Sequence, residues 1–297
     1  MGDILTAGSL FTPELTNEMF DLVRGKSALA RLADQMPLSF RGANVWTFSL
    51  DSEVDLVAEN GAKSNGGGEV GQVTIQPVKI EYGLRVSDEF KYAAEDIRLE
   101  YLRAFMDGFA KKAARGLDIM AMHGVNPRTG STASILSTNN FDDVVTNDVT
   151  STGDPDADVV SAIALIEAAE HEVTGMAIAP AFRTALAAMK KGTDSNESLF
   201  PELAWGASPS TINGLPVDVN STVSFNSGDD LAILGNFRDF FRWGYSRDIA
   251  VEVIEYGNPD NSELGDLKGH NQIYLRGEAY IGWGILVPAA FAKIGSF

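Results

Sequence analysis

The polar, glycine-rich stretch VAENGAKSNGGGEVG, residues 57–71, limits the possible folds of this chain more than any other feature. Both of its flanks alternate with a period of two. Upstream, Trp46, Phe48, Leu50, Val54 and Leu56 share one parity, and downstream Val78, Ile80, Tyr82, Leu84 and Val86 do the same. Such alternation predicts β-strands with one buried face. Roughly twenty residues separate the flanks, where an ordinary hairpin loop needs two to five. The tip has almost nothing apolar to bury, so whatever holds this β-arm in place lies outside it. An open strand edge recruits partners by strand addition. The simplest expectation is that other copies of the chain complete the fold.

The rest of the chain is large enough to supply a body for the arm. Its 297 residues suit one large domain or two ordinary ones, and a hydrophobic share of 44% supports a sizeable core. No apolar run reaches the length of a membrane span. The opening MGDILTAGSLFTPEL lacks the basic and apolar regions of a secretory signal, so neither secretion nor a membrane is expected. The absence of cysteine excludes disulfides and thiolate metal sites. A formal charge of −18 argues against a nucleic-acid reader unless the 23 basic residues gather on one face. The densest basic stretch, Ala110–Arg115, is expected to be spread around a helix.

Thr12-Pro13-Glu14 has the form of a helix start, and Ser27 that of a cap for a short helix carrying Leu29 and Leu32. The strongest helical pattern spans Glu95 to Met122. Ile97, Tyr101, Phe105, Phe109 and Ala113 recur every four residues beside Leu102, Met106 and Ala110, a rod of ~40 Å. Gly124 and Pro127 are placed to end it. Residues 142–155 form a polar connection. Beyond it the pattern predicts a helix near Ala157–Val173, a strand at Met176–Ala179, a helix opened by Pro180, and several later strands.

The motif matches do not amount to an active site. Residues 66–71 fit GxGxxG, but a dinucleotide site needs that pattern to open a helix, and here it is read as a flexible loop. His171-Glu172 begins a zinc-protease motif in which Gly175 replaces the second ligand. His123, His171 and His270 are dispersed and expected to be solvated or packed. Asp154, Asp156 and Asp158 alternate as in a calcium loop, yet Val159 replaces the required glycine, and helix capping explains them better. Met1-Gly2 with Thr6 matches only a short myristoylation pattern. Asp51 and Glu53 read as solvated arm residues. No enzyme, cofactor or metal is expected.

One family accounts for these features in order. GGEVGQVTIQPVKIEYGLRVSDEF resembles the strand-and-turn signature after the extended loop of tailed-bacteriophage major capsid proteins of the Hong Kong 97 type. LFTPELTNEMFDLVRGKSALARLADQMPL is similar to that family's N-terminal arm, and AARGLDIMAMHGVNPRTGSTASIL to the end of its long spine helix. MAIAPAFRTALAAMKKGTDSNESLFPEL with INGLPVDV resembles the axial domain, and LRGEAYIGWGILVPAAFAKI the closing strand. The resemblance covers nearly the whole chain.

It implies an α+β coat subunit: an N-terminal arm at 1–40, an extended β-loop with its flanking strands at 41–90, a peripheral domain with the spine helix at 91–155, an axial domain at 156–236, and returning peripheral strands at 237–297. Pentameric and hexameric capsomers would close into an icosahedral virion shell around double-stranded DNA, without sequence-specific binding, assembled in the host bacterial cytoplasm. Asn60, Lys63, Gly66, Gly68, Val70, Val73 and Ile75 would be arm residues contacting the adjacent copy. Because the chain reaches its arm within a dozen residues, a separate scaffolding protein is expected, with a portal and a decoration protein as further partners. Some members join a loop lysine to a neighbour's asparagine. Lys63 suits the first role, but Asn258, Asn261 and Asn271 do not match the second. The competing readings are an encapsulin-type compartment enclosing cargo enzymes, an enzyme, and a binding module.

Overall fold

The computed structural model describes residues 26–93, 95–136, 138–192, 195–227 and 230–296. The expected helix start at Thr12-Pro13-Glu14 and the Met1-Gly2 pattern lie outside them. The first described helix, α1 (Ala28–Leu32), begins where Ser27 caps it, the hydroxyl accepting from the Ala30 amide.

The arm is a hairpin of its own. Strand β1 (Ala43–Leu50) pairs antiparallel with β2 (Gly68–Ile75), Ala43 opposite Ile75 and Leu50 opposite Gly68. The partner of the upstream flank is therefore the stretch read as flexible loop, and Gly68–Gly71 are strand residues. Pro77 separates β2 from β3 (Val78–Ser87), which leaves the arm and joins the body. There β3 pairs with β10 (Gln272–Ile285), and β10 with β9 (Phe241–Ile254), in a three-stranded antiparallel sheet.

Helix α2 (Glu95–His123) packs on that sheet. Leu102, Phe105, Met106, Phe109, Ala110, Ala113 and Leu117 are buried, as the four-residue spacing predicts. Ile97 and Tyr101, which open the same row, are instead exposed, because the helix begins beyond the edge of the core. It ends at Gly124, whose φ is +62° and whose added Cβ would lie 2.5 Å from the Asn140 amide. The connection after it carries α3 (Phe141–Val144) and β4 (Asp148–Thr150).

The second layer is a six-stranded mixed sheet ordered β4-β11-β8-β5-β7-β6, with β5 (Gly175–Ile178), β6 (Thr211–Ile212), β7 (Leu215–Val219), β8 (Asp230–Gly235) and β11 (Phe291–Gly295). Helices α4 (Pro155–Ala168) and α5 (Pro180–Ala188) contribute Ala162, Ile166, Phe182 and Leu186 to its separate core. Helix α4 stops five residues short of the expected Val173. Asp154 caps it and Asp158 binds Ser151 and Thr152, so both acids have structural partners. The sheet also takes β4 and β11 from outside residues 156–236. A last short helix, α6 (Phe237–Phe240), leads into β9. No helix among the described residues is long and apolar enough to cross a membrane.

Candidate functional site

The two faces of the arm have opposite fates. On one face Val45 and Thr47 of β1, with Val73 and Ile75 of β2, are half-buried or buried at the arm's base. Ile75 is fully buried and packs so close to Gly284 that a Cβ there would lie 2.7 Å from it. Only glycine at 284 leaves room for the Ile75 side chain against the β10 backbone. On the other face Trp46, Phe48 and Leu50 are 65%, 69% and 70% exposed, with Val70, the cross-strand partner of Phe48, exposed beside them. Val54 and Leu56 are almost wholly exposed farther along. The upstream alternation thus predicts a strand that ends at Leu50, short of Val54 and Leu56, and the face it marks as buried is the exposed one within one chain.

The seven sequence-predicted arm residues divide accordingly. Asn60 adopts φ +64° in the terminal turn. Lys63, Gly66, Gly68 and Val70 are exposed, Val73 is half-buried, and Ile75 is part of the body's core, so it is not available to another molecule. Asp51 steadies the start of the tip by accepting from the Gly67 amide at 2.8 Å. Of the three asparagines weighed against Lys63, Asn258 is engaged at both ends of its amide, with Arg85 and with the Ser262 carbonyl.

At the C-terminal end of α2, a polar network centred on a buried carboxylate joins α1 and α2 to α3, β4, β8 and β11. Asp118 is fully buried and accepts five hydrogen bonds: from the Ser27 hydroxyl at 2.5 Å, the Ala28 and Leu29 amides at 2.8 and 3.2 Å, Asn220 Nδ2 and the Thr222 hydroxyl. It therefore caps α1 from another helix. Burial pushes its carboxyl up to about 6, against the pull of those donors. Thr222 continues the network, since its carbonyl accepts from His123 Nε2 at 2.9 Å. His123 Nδ1 faces Asp142 at 2.9 Å and Asp230 at 3.7 Å.

Burial alone would lower the His123 pKa, but the Asp142 carboxylate holds it above the ordinary histidine value. Burial likewise opposes ionisation of Asp142, yet the His123 ring keeps that acid below the usual carboxylate range. Asp230 is pushed up to about 7, first by burial and then by the adjacent Asp142 charge. His123, Asp142 and Asp230 present ligand atoms within 4.8 Å of one another. The Lys293 ammonium, 3.9 Å from Asp142 and 3.4 Å from Asp148, already supplies a cation there, so the group reads as an ion-pair node rather than a metal centre. Sequence reasoning missed this network. Its one visible signal was Asp118 amid Leu117, Ile119 and Met120, a charge inside an apolar helical run.

A model of the phage capsid family matches residues 7–295. A solved structure from Mycobacterium phage Ogopogo is 30% identical, with a TM-score of 0.76 over 91% of this chain and 92% of that one. One from Gordonia phage Cozz is 24% identical, with a TM-score of 0.74 over 90% and 85%. A third, titled capsid of empty GTA particle computed with C5 symmetry, shares the fold at 15% identity, with a TM-score of 0.63 over 91% and 89%. No curated protein sequence matches the chain.

Proposed function

This chain belongs to the phage capsid family, and from that premise we propose that it builds an icosahedral head shell from pentameric and hexameric capsomers that encloses double-stranded DNA. The observation that supports this reading is the arm, an outward face of Trp46, Phe48, Leu50 and Val70 on a hairpin with no cover among the described residues. Apolar area of this kind marks an interaction surface. Each subunit places its arm on the next, and head-to-tail contacts of this type close into rings when the rotation permits. Many modest contacts then sum to a stable shell.

In this proposal the arm and its flanking strands span 41–90, α2 and the three-stranded sheet that β3 enters form the peripheral body, and the strands and helices within 156–236 form most of the axial body. A scaffolding protein, a portal and a decoration protein are the partners proposed for assembly in the host bacterial cytoplasm. Lys63 has no partner asparagine assigned, so the shell is held without covalent links. Electron microscopy with light scattering of the purified protein, alone at high concentration or with its scaffold, tests the reading. Closed shells or capsomer rings are expected. A folded species that stays strictly monomeric overturns it.

A further inference from the structure

Helix α4 is apolar on both of its sides. Ala162 and Ile166 enter the core of the six-stranded sheet, yet Val160, Ala164 and Leu165 are exposed on the other side. A helix that is apolar all round is normally covered all round, so α4 is unfinished within one chain. Next to it, where α4 has ended and β5 begins, lies an open cleft of about 410 Å³. Ile163, Val173 and Leu215 give it apolar walls, His171 is half-buried in its lining, and the exposed Glu167 and Glu172 make it acidic. Neither acid has an ion pair among the described residues.

The opposite end of β5 carries what such a cleft lacks. The turn Pro201–Gly206 holds Trp205 fully exposed at φ +56° and ψ 29°, a left-handed conformation that bulky residues rarely adopt. Strain of this kind collects at positions that serve a contact. Buried Leu203 anchors the turn, and Arg183, in the first turn of α5, donates to the Gly206 carbonyl at 2.7 Å. Arg183 has no ion pair among the described residues, so the turn presents an indole together with an unpaired cation. The two features cannot meet within one chain. Glu172 and Val173 precede β5, Leu215 opens β7, and the two strands run parallel, so the cleft lies at their N-terminal ends. Arg183 follows the C-terminal end of β5 and holds the Trp205 turn there.

We infer that the Trp205 turn of one copy enters the α4 cleft of the next, with the indole against Ile163, Val173 and Leu215, and Arg183 facing Glu167 and Glu172. Knob and cleft sit at opposite ends of the same strand pair, so the contact is head-to-tail and repeats around a ring. Charge selects the occupant. In a chain of charge −18, most surfaces of a second copy are repelled by two unpaired acids, whereas this turn brings an unpaired arginine. Tryptophan and arginine are also the side chains that most often anchor an interface. This assignment rests on the shell reading above and adds to it a named anchor and its socket, on elements separate from the arm.

The chain has no cysteine, so an introduced pair gives a clean test. Trp205→Cys and Glu172→Cys replace exposed side chains, and circular dichroism and thermal melts confirm folding. A short bis-maleimide spans the space that the indole leaves. Assembled particles of the double variant are expected to give a ladder of linked chains that ends at the size of the ring, and a co-assembly of the two single variants to give dimers only. Trp205→Ala is expected to raise the protein concentration needed for assembly about tenfold. Shells of the double variant without a ladder overturn the pairing while leaving the shell reading intact. Dimers from Trp205→Cys alone overturn it too, since two turns would then meet each other. Failure of the unaltered protein to form any ring or shell overturns both readings.

Discussion

Asp118 shows how much one side chain can fasten. Its carboxylate satisfies the amides that open α1, and Thr222 passes the connection on to His123 and the start of β8. Replacing it with alanine strands several buried donors, each worth about 1–3 kcal/mol. Asp118→Ala is expected to lose about 3 kcal/mol or more of stability by denaturant unfolding. The pH dependence follows from the raised pKa values. Between the unfolded value near 3.8 and about 6 for Asp118, or about 7 for Asp230, the folded state holds a proton that the unfolded chain has released. Stability therefore falls as pH rises through that window. His123, raised above 6.5, acts in the same direction, whereas Asp142, lowered, loses its contribution only toward strong acid. Melting temperatures of Asp230→Asn between pH 5 and 8 are expected to decline less than those of the unaltered protein. An identical decline would show that Asp230 does not take up the proton.

At the scale of elements, the sequence reveals those with a strong local period and misses those whose environment is supplied from elsewhere. The four-residue row of α2, the cap at Ser27 and the stop at Gly124 are all legible, because each is a local rule acting on neighbouring residues. The arm is legible as two strands but with the wrong partners: three glycines at 66–68 suggest flexibility, whereas pairing from Ala43–Ile75 to Leu50–Gly68 is a tertiary fact. The polar network escaped because His123, Asp142 and Asp230 meet only after folding. The observed pairing also fixes how the arm is best shortened. Replacing residues 52–66 with a tight turn keeps every β1–β2 pair and removes only exposed residues. The subunit is expected to fold with an unchanged melting temperature, while shell yield or heat resistance falls. Equally robust shells from the shortened variant would make the tip a passive connection.

For the whole molecule, the question is whether the shell is covalently linked. A lysine–asparagine bond needs the amine held beside an amide carbon that is free to react. Lys63 is exposed, and Asn258 is already engaged at both ends of its amide. Particles boiled in denaturant are expected to run as one band at the mass of the single chain. A ladder that disappears in Lys63→Ala would show that a bond forms. Without such a ladder, shell strength comes from many reversible contacts, which moderate salt should weaken where they are charged.

The sheet β3-β10-β9 also has a consequence in time. Val78–Ser87 find their strand partners in Gln272–Ile281, about two-thirds of the chain's length away. Contacts so remote in sequence close late and make folding slow. The hairpin β1–β2, built from residues close together, needs no such wait. A newly made chain therefore passes through an interval in which its adhesive arm exists before the body that should present it. Refolding from denaturant should lose yield steeply as protein concentration rises, and Trp46→Ser with Phe48→Ser should restore that yield without hastening the slow closure of the sheet.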